Sequence, residues 1–181
     1  MNRFAYDRIS SPIGEILIAV ADGHLCALDF DDCEDRMRRL LRRRFGGFEF
    51  IPTPNPSGFS AMIRAYLDGD LDAISALPVR GAGSPFQEKA WAALRSIPAG
   101  MTATYGEQAT RLGQPTAARA VGLANSLNPV AIVVPCHRVI GANGALTGFA
   151  GGIERKQWLL EHERKALDRA GRARQRSLEM E

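Results

Sequence analysis

The stretch "LPVRGAGSPFQEKAWAALR" (residues 77–95) divides the chain into two unlike halves. Its first nine residues hold two prolines and two glycines, which interrupt helix and strand patterns alike, so they read as a boundary or linker. Ser84 and Gln87 then stand at capping-box spacing around Pro85, and Phe86, Ala90, Trp91 and Leu94 recur on one helical face. Upstream, "RFAYDRIS", "EILIAVA" and "HLCALDF", separated by a Ser-Pro-Ile-Gly turn and an Asp22-Gly23 turn, predict a three-stranded antiparallel meander. A helix follows, capped by Asp31 or Asp32, with Met37, Leu40, Leu41 and Phe45 on one face and Gly46 and Gly47 at its end. Its six arginines read as a solvated face rather than a DNA contact. "IPTPNPSG" (51–58) reads as a loop, and Phe59, Met62, Ile63, Tyr66 and Leu67 as a second amphipathic helix.

Downstream, Thr104 and Glu107 repeat the capping-box spacing for a short helix ended by Gly113. Pro115 and Thr116 open another, "TAARAVGLANSLN". Two short helices joined by a tight turn are a helix-turn-helix candidate, the alternative being two packed core helices. The second is nearly bare: Ala117, Ala118, Ala120, Gly122 and Ala124 leave Arg119 as its one long charged side chain. Small side chains allow close approach to another surface, and an arginine there can contact phosphate or enter the base stack.

At 181 residues, 45% hydrophobic and 24% charged, the chain has the composition of an ordinary globular protein of one body or two small subdomains. The N-terminus lacks the apolar core of a signal peptide and no apolar run approaches a bilayer span, which points to the cytoplasm and to no membrane partner. Three widely spaced cysteines argue for reduced thiols; no C-x-x-C pair exists, and His24, His137 and His162 complete no ligand spacing, so no metal is expected. Residues 1–82 carry 10 basic and 12 acidic side chains, whereas residues 83–181 carry 13 and 8, an asymmetry that points the second half toward a polyanion. Arg169, Arg172, Arg174 and Arg176 weaken that signal, because they lie in a polar tail (168–181) with the composition of a disordered segment.

The nucleophile candidate is Cys136, in "IVVPCHRVIG" (132–141), just after the strand-like "AIVV" and a proline turn. Cys26 reads as a buried small hydrophobe, and Cys33, within "DDCED", sits among carboxylates that disfavour a thiolate. Cys136 instead has His137 adjacent and cationic Arg138 beyond it. Adjacent residues of an extended segment point apart, so a cysteine–histidine link needs a turn or a bridging water. In "GGIERKQWLLEHERK", Glu163 follows Leu159 and Leu160 at helical spacing and shares their side; a half-buried carboxylate there needs a partner, and His137 is a reasonable one.

"PCHRVIG", the "ARAVGxAxxxNP" pattern upstream and the "GxxGFAGGxxRKxWLLxHE" pattern downstream together resemble the methylated-DNA-protein-cysteine methyltransferases, which repair O6-alkylguanine. "SPFQEKAWAALRSIPAG" and "SPIGEILIA" are most similar to the constitutive bacterial members, and the likeness runs to about residue 167. It implies an α+β fold, with a small ribonuclease-H-like α/β N-terminal domain (1–82) and a mainly helical C-terminal domain (83–167) containing a helix-turn-helix. It further implies that Cys136 takes the alkyl group of O6-alkylguanine, and of O4-alkylthymine, once and irreversibly. His137 would act as base through a water, oriented by Glu163; Asn128 would brace the cysteine turn; and Tyr105 would give a proton to the departing base. Thr116, Ala117 and Ala118 would face DNA, with Arg119 filling the space of a flipped base. Val139 and Ala150 would contact that base through backbone groups, with Lys156 and Phe149 near the pocket. Double-stranded DNA carrying alkylated guanine would be the partner of a monomer needing no cofactor. Phe149 replaces a common tyrosine and Ala131 an occasional proline, while the zinc pattern of some vertebrate relatives is unmatched, with Cys26 and Ala21 at two of its positions. Two other readings compete: a cysteine hydrolase using Cys136, His137 and Glu163, and a regulatory helix-turn-helix module without chemistry.

Overall fold

The structure is a computed structural model that describes residues 1–180. Strands β1 (Asn2–Ile9), β2 (Ile16–Ala21) and β3 (His24–Phe30) form the expected antiparallel meander. Its alternation is two-sided: Ile16, Ile18 and Val20 enter the main core, while Leu17 and Ala19 pack with Phe4, Met37 and Leu41 beneath helix α1 (Glu34–Phe45). A fourth strand, β4 (Phe48–Pro52), pairs parallel to β1 and gives the sheet order β3-β2-β1-β4. It begins ahead of, and overlaps, the stretch read as a loop. Phe48 and Phe50 fix it there, against Phe4 at 5.7 Å and Tyr6 at 4.5 Å between ring centroids.

Neither Asp31 nor Asp32 caps α1. A 3-10 turn (Asp31–Cys33) intervenes, and Asp32 is instead bound by Arg155 at 2.8 Å. The arginines of α1 are also not uniformly solvated, because Arg36 and Arg44 reach carbonyls of the C-terminal half. Helix α2 (Phe59–Leu67) lays Phe59, Ile63 and Tyr66 on the main core. The Pro- and Gly-rich boundary stretch is pinned: Leu25 N–H donates to Pro78 O, and a Cβ on Gly83 would lie 2.5 Å from Trp91 Cζ3.

Both capping boxes form, at Ser84 for α3 (Pro85–Arg95) and at Thr104 for α4 (Tyr105–Arg111), the latter preceded by the short strand β5 (Ala103–Thr104). Helix α5 (Ala118–Ser126) starts later than Pro115 and Thr116 suggest, with Ala117 as an N-cap that makes no side-chain bond. Reciprocal amide bonds between buried Gln108 and Asn125, 3.1 and 2.8 Å, lock α4 to α5. The strand-like "AIVV" is a buried turn: Val130 bridges to Leu28 on the open edge of β3, and Ile132 adopts a φ of 70° while Val133 N–H closes on Ala131 O. Strand β6 (Val139–Ile140) pairs with β5. Helix α6 (Ile153–Glu179) runs straight through the segment whose composition reads as disordered. No helix of the described residues is long and apolar enough to cross a membrane.

Candidate active site

Cys136 opens a 3-10 turn (Cys136–Arg138) directly after Pro135 and is partly exposed. Its setting depends on Asn128, whose Nδ2 donates to Val134 O at 2.8 Å and to Cys136 Sγ at 3.3 Å, while Oδ1 accepts from Val130 N–H at 2.9 Å. One buried amide thus ties both ends of the loop to the sulfur. Asn128 is held in turn from the other half of the chain: Arg36 donates to Ser126 O (2.6 Å) and Asn128 O (3.0 Å) and pairs with buried Asp29 at 2.7 Å. Arg44 caps the same helix end through Leu127 O at 2.6 Å. A guanidinium at the C-terminus of α5 also meets the negative end of its dipole.

Burial pushes the Cys136 thiol up, against the Asn128 hydrogen bond and the charges of Lys156 and Arg36, so the resting group is a protonated thiol. The activation that the sequence suggests through the adjacent Arg138 does not occur, because Arg138 is committed to Glu163. Cys33 is pushed up to about 11 by burial and by Asp29 and Asp32, and Cys26 is buried in β3, both as expected.

His137 is fully buried and its Nε2 lies 2.8 Å from Glu163 Oε1. Glu163 also accepts from Arg138 Nη2 (2.7 Å), Arg138 Nε (3.0 Å), the Tyr66 hydroxyl (2.8 Å) and Gly100 N–H (3.0 Å). Burial alone would raise this carboxyl, but His137 and Arg138 outweigh it and hold it well below the usual carboxylate range. Burial pulls His137 down, so it is neutral; with Nε2–H donated to Glu163, Nδ1 is the free acceptor, and it is buried with no protein partner. Tyr66, raised well above the usual range by burial and by Glu163, stays a donor. Tyr66, Gly100 and Arg36 were not anticipated from sequence, and Arg138 was expected to act on Cys136 rather than on Glu163; the need of a buried glutamate for a counter-charge was the one available signal, and it pointed only to His137.

Lys156 Nζ, fully buried, donates to Val139 O and to Thr147 O (2.6 Å) and so ties β6 to the following loop. The Tyr105 hydroxyl donates to the same Thr147 carbonyl at 3.1 Å. Gly148, at a φ of 71°, lies against that hydroxyl, where a Cβ would come within 2.7 Å of it. Phe149 is buried, Ala150 is exposed, and Gly151 fits between Phe30 and Phe149. Thr116 and Arg119 are exposed and Ala117 and Ala118 half-exposed around the start of α5, and no hydrogen bond or ion pair among the described residues joins Arg119 to the cysteine cluster. The structure therefore sets three hydrogen-bonded groups along residues 134–139, Asn128 with Cys136, His137 and Arg138 with Glu163, and Lys156 with Val139, and places Arg119 apart on an outer helix face.

Two family profiles match this chain. Residues 5–80 fit the ribonuclease-like domain of 6-O-methylguanine DNA methyltransferase, and residues 85–165 fit its DNA-binding domain. The chain belongs to this family. It is 46% identical over 166 residues to the methylated-DNA–protein-cysteine methyltransferase of Shigella flexneri, covering 90% of this chain and 97% of that one. To the Mycobacterium tuberculosis enzyme of the same name it is 45% identical over 163 residues, covering 88% and 92%. The crystal structure of the M. tuberculosis O6-methylguanine methyltransferase superposes with a TM-score of 0.75 at 41% identity, covering 90% of this chain and 94% of that one. The M. tuberculosis protein in complex with DNA gives 0.76 at 42%, with the same coverage. The two-domain methyltransferase architecture, an α/β ribonuclease-like half followed by a helical DNA-binding half, is thus that of the present protein.

Proposed function

We propose that this methyltransferase repairs DNA by direct reversal, with Cys136 taking the alkyl group from O6-alkylguanine in a duplex. The supporting observation is that Asn128 joins the Cys136 thiol to its loop while the very next residue is a buried neutral histidine held by an ionised glutamate. The thiol proton passes through a shared water to His137 Nδ1, and Glu163 stabilises the imidazolium that results. The thiolate displaces the alkyl carbon: an S–C bond forms, the C–O6 bond breaks and its electron pair leaves with the base, and the resulting guanine anion takes a proton from the Tyr105 hydroxyl and settles as the N1–H keto form. The proton held by His137 then restores the tyrosine. The product, an S-alkylcysteine, has no proton to lose and is a poor leaving group, so one chain repairs one lesion.

The base reaches a partly buried thiol only after leaving the stack. Arg119 on exposed α5 fills the space it vacates, Thr116, Ala117 and Ala118 allow the helix into the minor groove, and Val139, Phe149, Ala150 and Lys156 form the pocket. The protein acts as a cytoplasmic monomer without metal, on O4-alkylthymine as well. The test is an oligonucleotide carrying O6-methylguanine with a labelled methyl group. Label recovered on the Cys136 peptide supports the reading, whereas label released as methanol with Cys136 unmodified would turn it into a hydrolase.

A further inference from the structure

The last four turns of α6 belong to neither domain. The family match ends at residue 165, the helix continues to Glu179, and its side chains from Asp168 onward are exposed. The Shigella relative is covered almost to its full length while about a tenth of this chain lies outside the match. From Asp168 onward the helix packs on nothing else in the chain, which leaves its whole surface free to meet a partner.

Its charge pattern says which. Lys165, Arg169, Arg172 and Arg176 follow at i, i+4, i+7 and i+11, which places them within one narrow stripe of the helix surface. Lys165 has a partner in Glu161 at 3.7 Å, but among the described residues Arg169, Arg172 and Arg176 enter no ion pair. The stripe is about 16 Å long, the rise of about five phosphates along one strand. An amphipathic membrane helix would need a continuous apolar opposite face, and here that side holds Leu167, Ala170, Gly171 and Leu178 with a further arginine, Arg174, at its centre, which breaks the apolar strip. The helix leaves the body where Leu167 meets Gly100, five residues before Tyr105 opens the helix-turn-helix.

We propose that the C-terminal half of α6 is a second DNA contact, a basic arm that binds backbone phosphates outside the segment held by α5. This rests on DNA being the partner but not on the methyl transfer. The test compares the full-length protein with the triple variant Arg169→Gln/Arg172→Gln/Arg176→Gln and with Arg174→Gln, measuring affinity for an unmodified duplex of about 24 base pairs against salt. Each lost phosphate contact removes about 0.9 from the slope of log K on log salt, so the triple variant flattens it by about 2–3 and Arg174→Gln by less than 1. The same triple change to lysine keeps the slope. On a duplex of about 8 base pairs, too short to reach the arm, the proteins bind alike. An unchanged slope, a lysine variant as weak as the glutamine one, or self-association without DNA that the triple variant abolishes would overturn the proposal. Transfer from the free alkylated base is unchanged in every arm variant, so a failure of methyl transfer and a failure of the arm are read separately.

Discussion

The two halves of α6 use charge in opposite ways. In the first, Lys156 and Glu163 are fully buried and every polar atom is spoken for, by backbone carbonyls in one case and by a histidine, an arginine, a tyrosine and a backbone amide in the other. In the second, three exposed arginines of one stripe enter no ion pair among the described residues. A buried charge is useful only in one geometry, since removing any partner strands the others in a low dielectric. An exposed basic stripe works by number and is weakened gradually by salt. The same helix thus serves the proposed relay at one end and the proposed basic arm at the other.

The comparison is broken most severely at Glu163. Glu163→Gln leaves Arg138 buried without a counter-charge and should cost about 3–5 kcal/mol in urea unfolding. It should also slow methyl transfer by at least about ten-fold while sparing DNA affinity. The acid side follows from the same carboxyl. Its folded pKa is depressed, so the unfolded chain binds the extra proton; the stability it contributes is present above the unfolded value of about 4.3 and declines below it. The variant lacks that decline. His137, also depressed, is protonated only below its ordinary value of about 6.5, so transfer should stay on its plateau through neutral pH and fall only on the acid side of that value.

Asn128→Ala comes next. It orphans Val130 N–H and Val134 O and takes the donor from the sulfur, for a stability loss of about 2 kcal/mol and a thiol that reacts only at higher pH. Arg119→Ala sharpens the contrast from the exposed side: stability should move by less than about 0.5 kcal/mol, while repair in duplex falls more than about ten-fold and reaction with the free base stays put. Equal losses on both substrates would deny Arg119 its place in the stack. The smallest effect is none at all. A strong chelator should change neither melting temperature nor repair rate, and stoichiometric zinc in the purified protein would contradict this.

What was legible in the sequence was local. The boxes at Ser84 and Thr104 span three residues, the meander alternates residue by residue, and Glu163 follows Leu159 and Leu160 by helical spacing. What escaped was written across long separations. Strand β4 pairs residues 48–52 with 2–6, Tyr66 meets Glu163 across 97 positions, and Arg36 meets Asn128 across 92. No periodicity records such contacts. "AIVV" was misread because β-branched residues favour strands, whereas packing onto the edge of β3 holds Ile132 at positive φ against that preference. Read alone, the arginines of α1 looked alike; only the arrival of the C-terminus of α5 separates Arg36 and Arg44 from the rest.

The central claim, that the buried network exists to make one thiol react once, is tested most directly by stoichiometry. Limiting protein is mixed with excess O6-methylguanine duplex, and repaired guanine is counted against the mass of the Cys136 peptide. The account predicts that repair stops at one methyl per chain, with every Cys136 carrying it. More than one repaired base per chain, or unmodified Cys136 after repair, would contradict it.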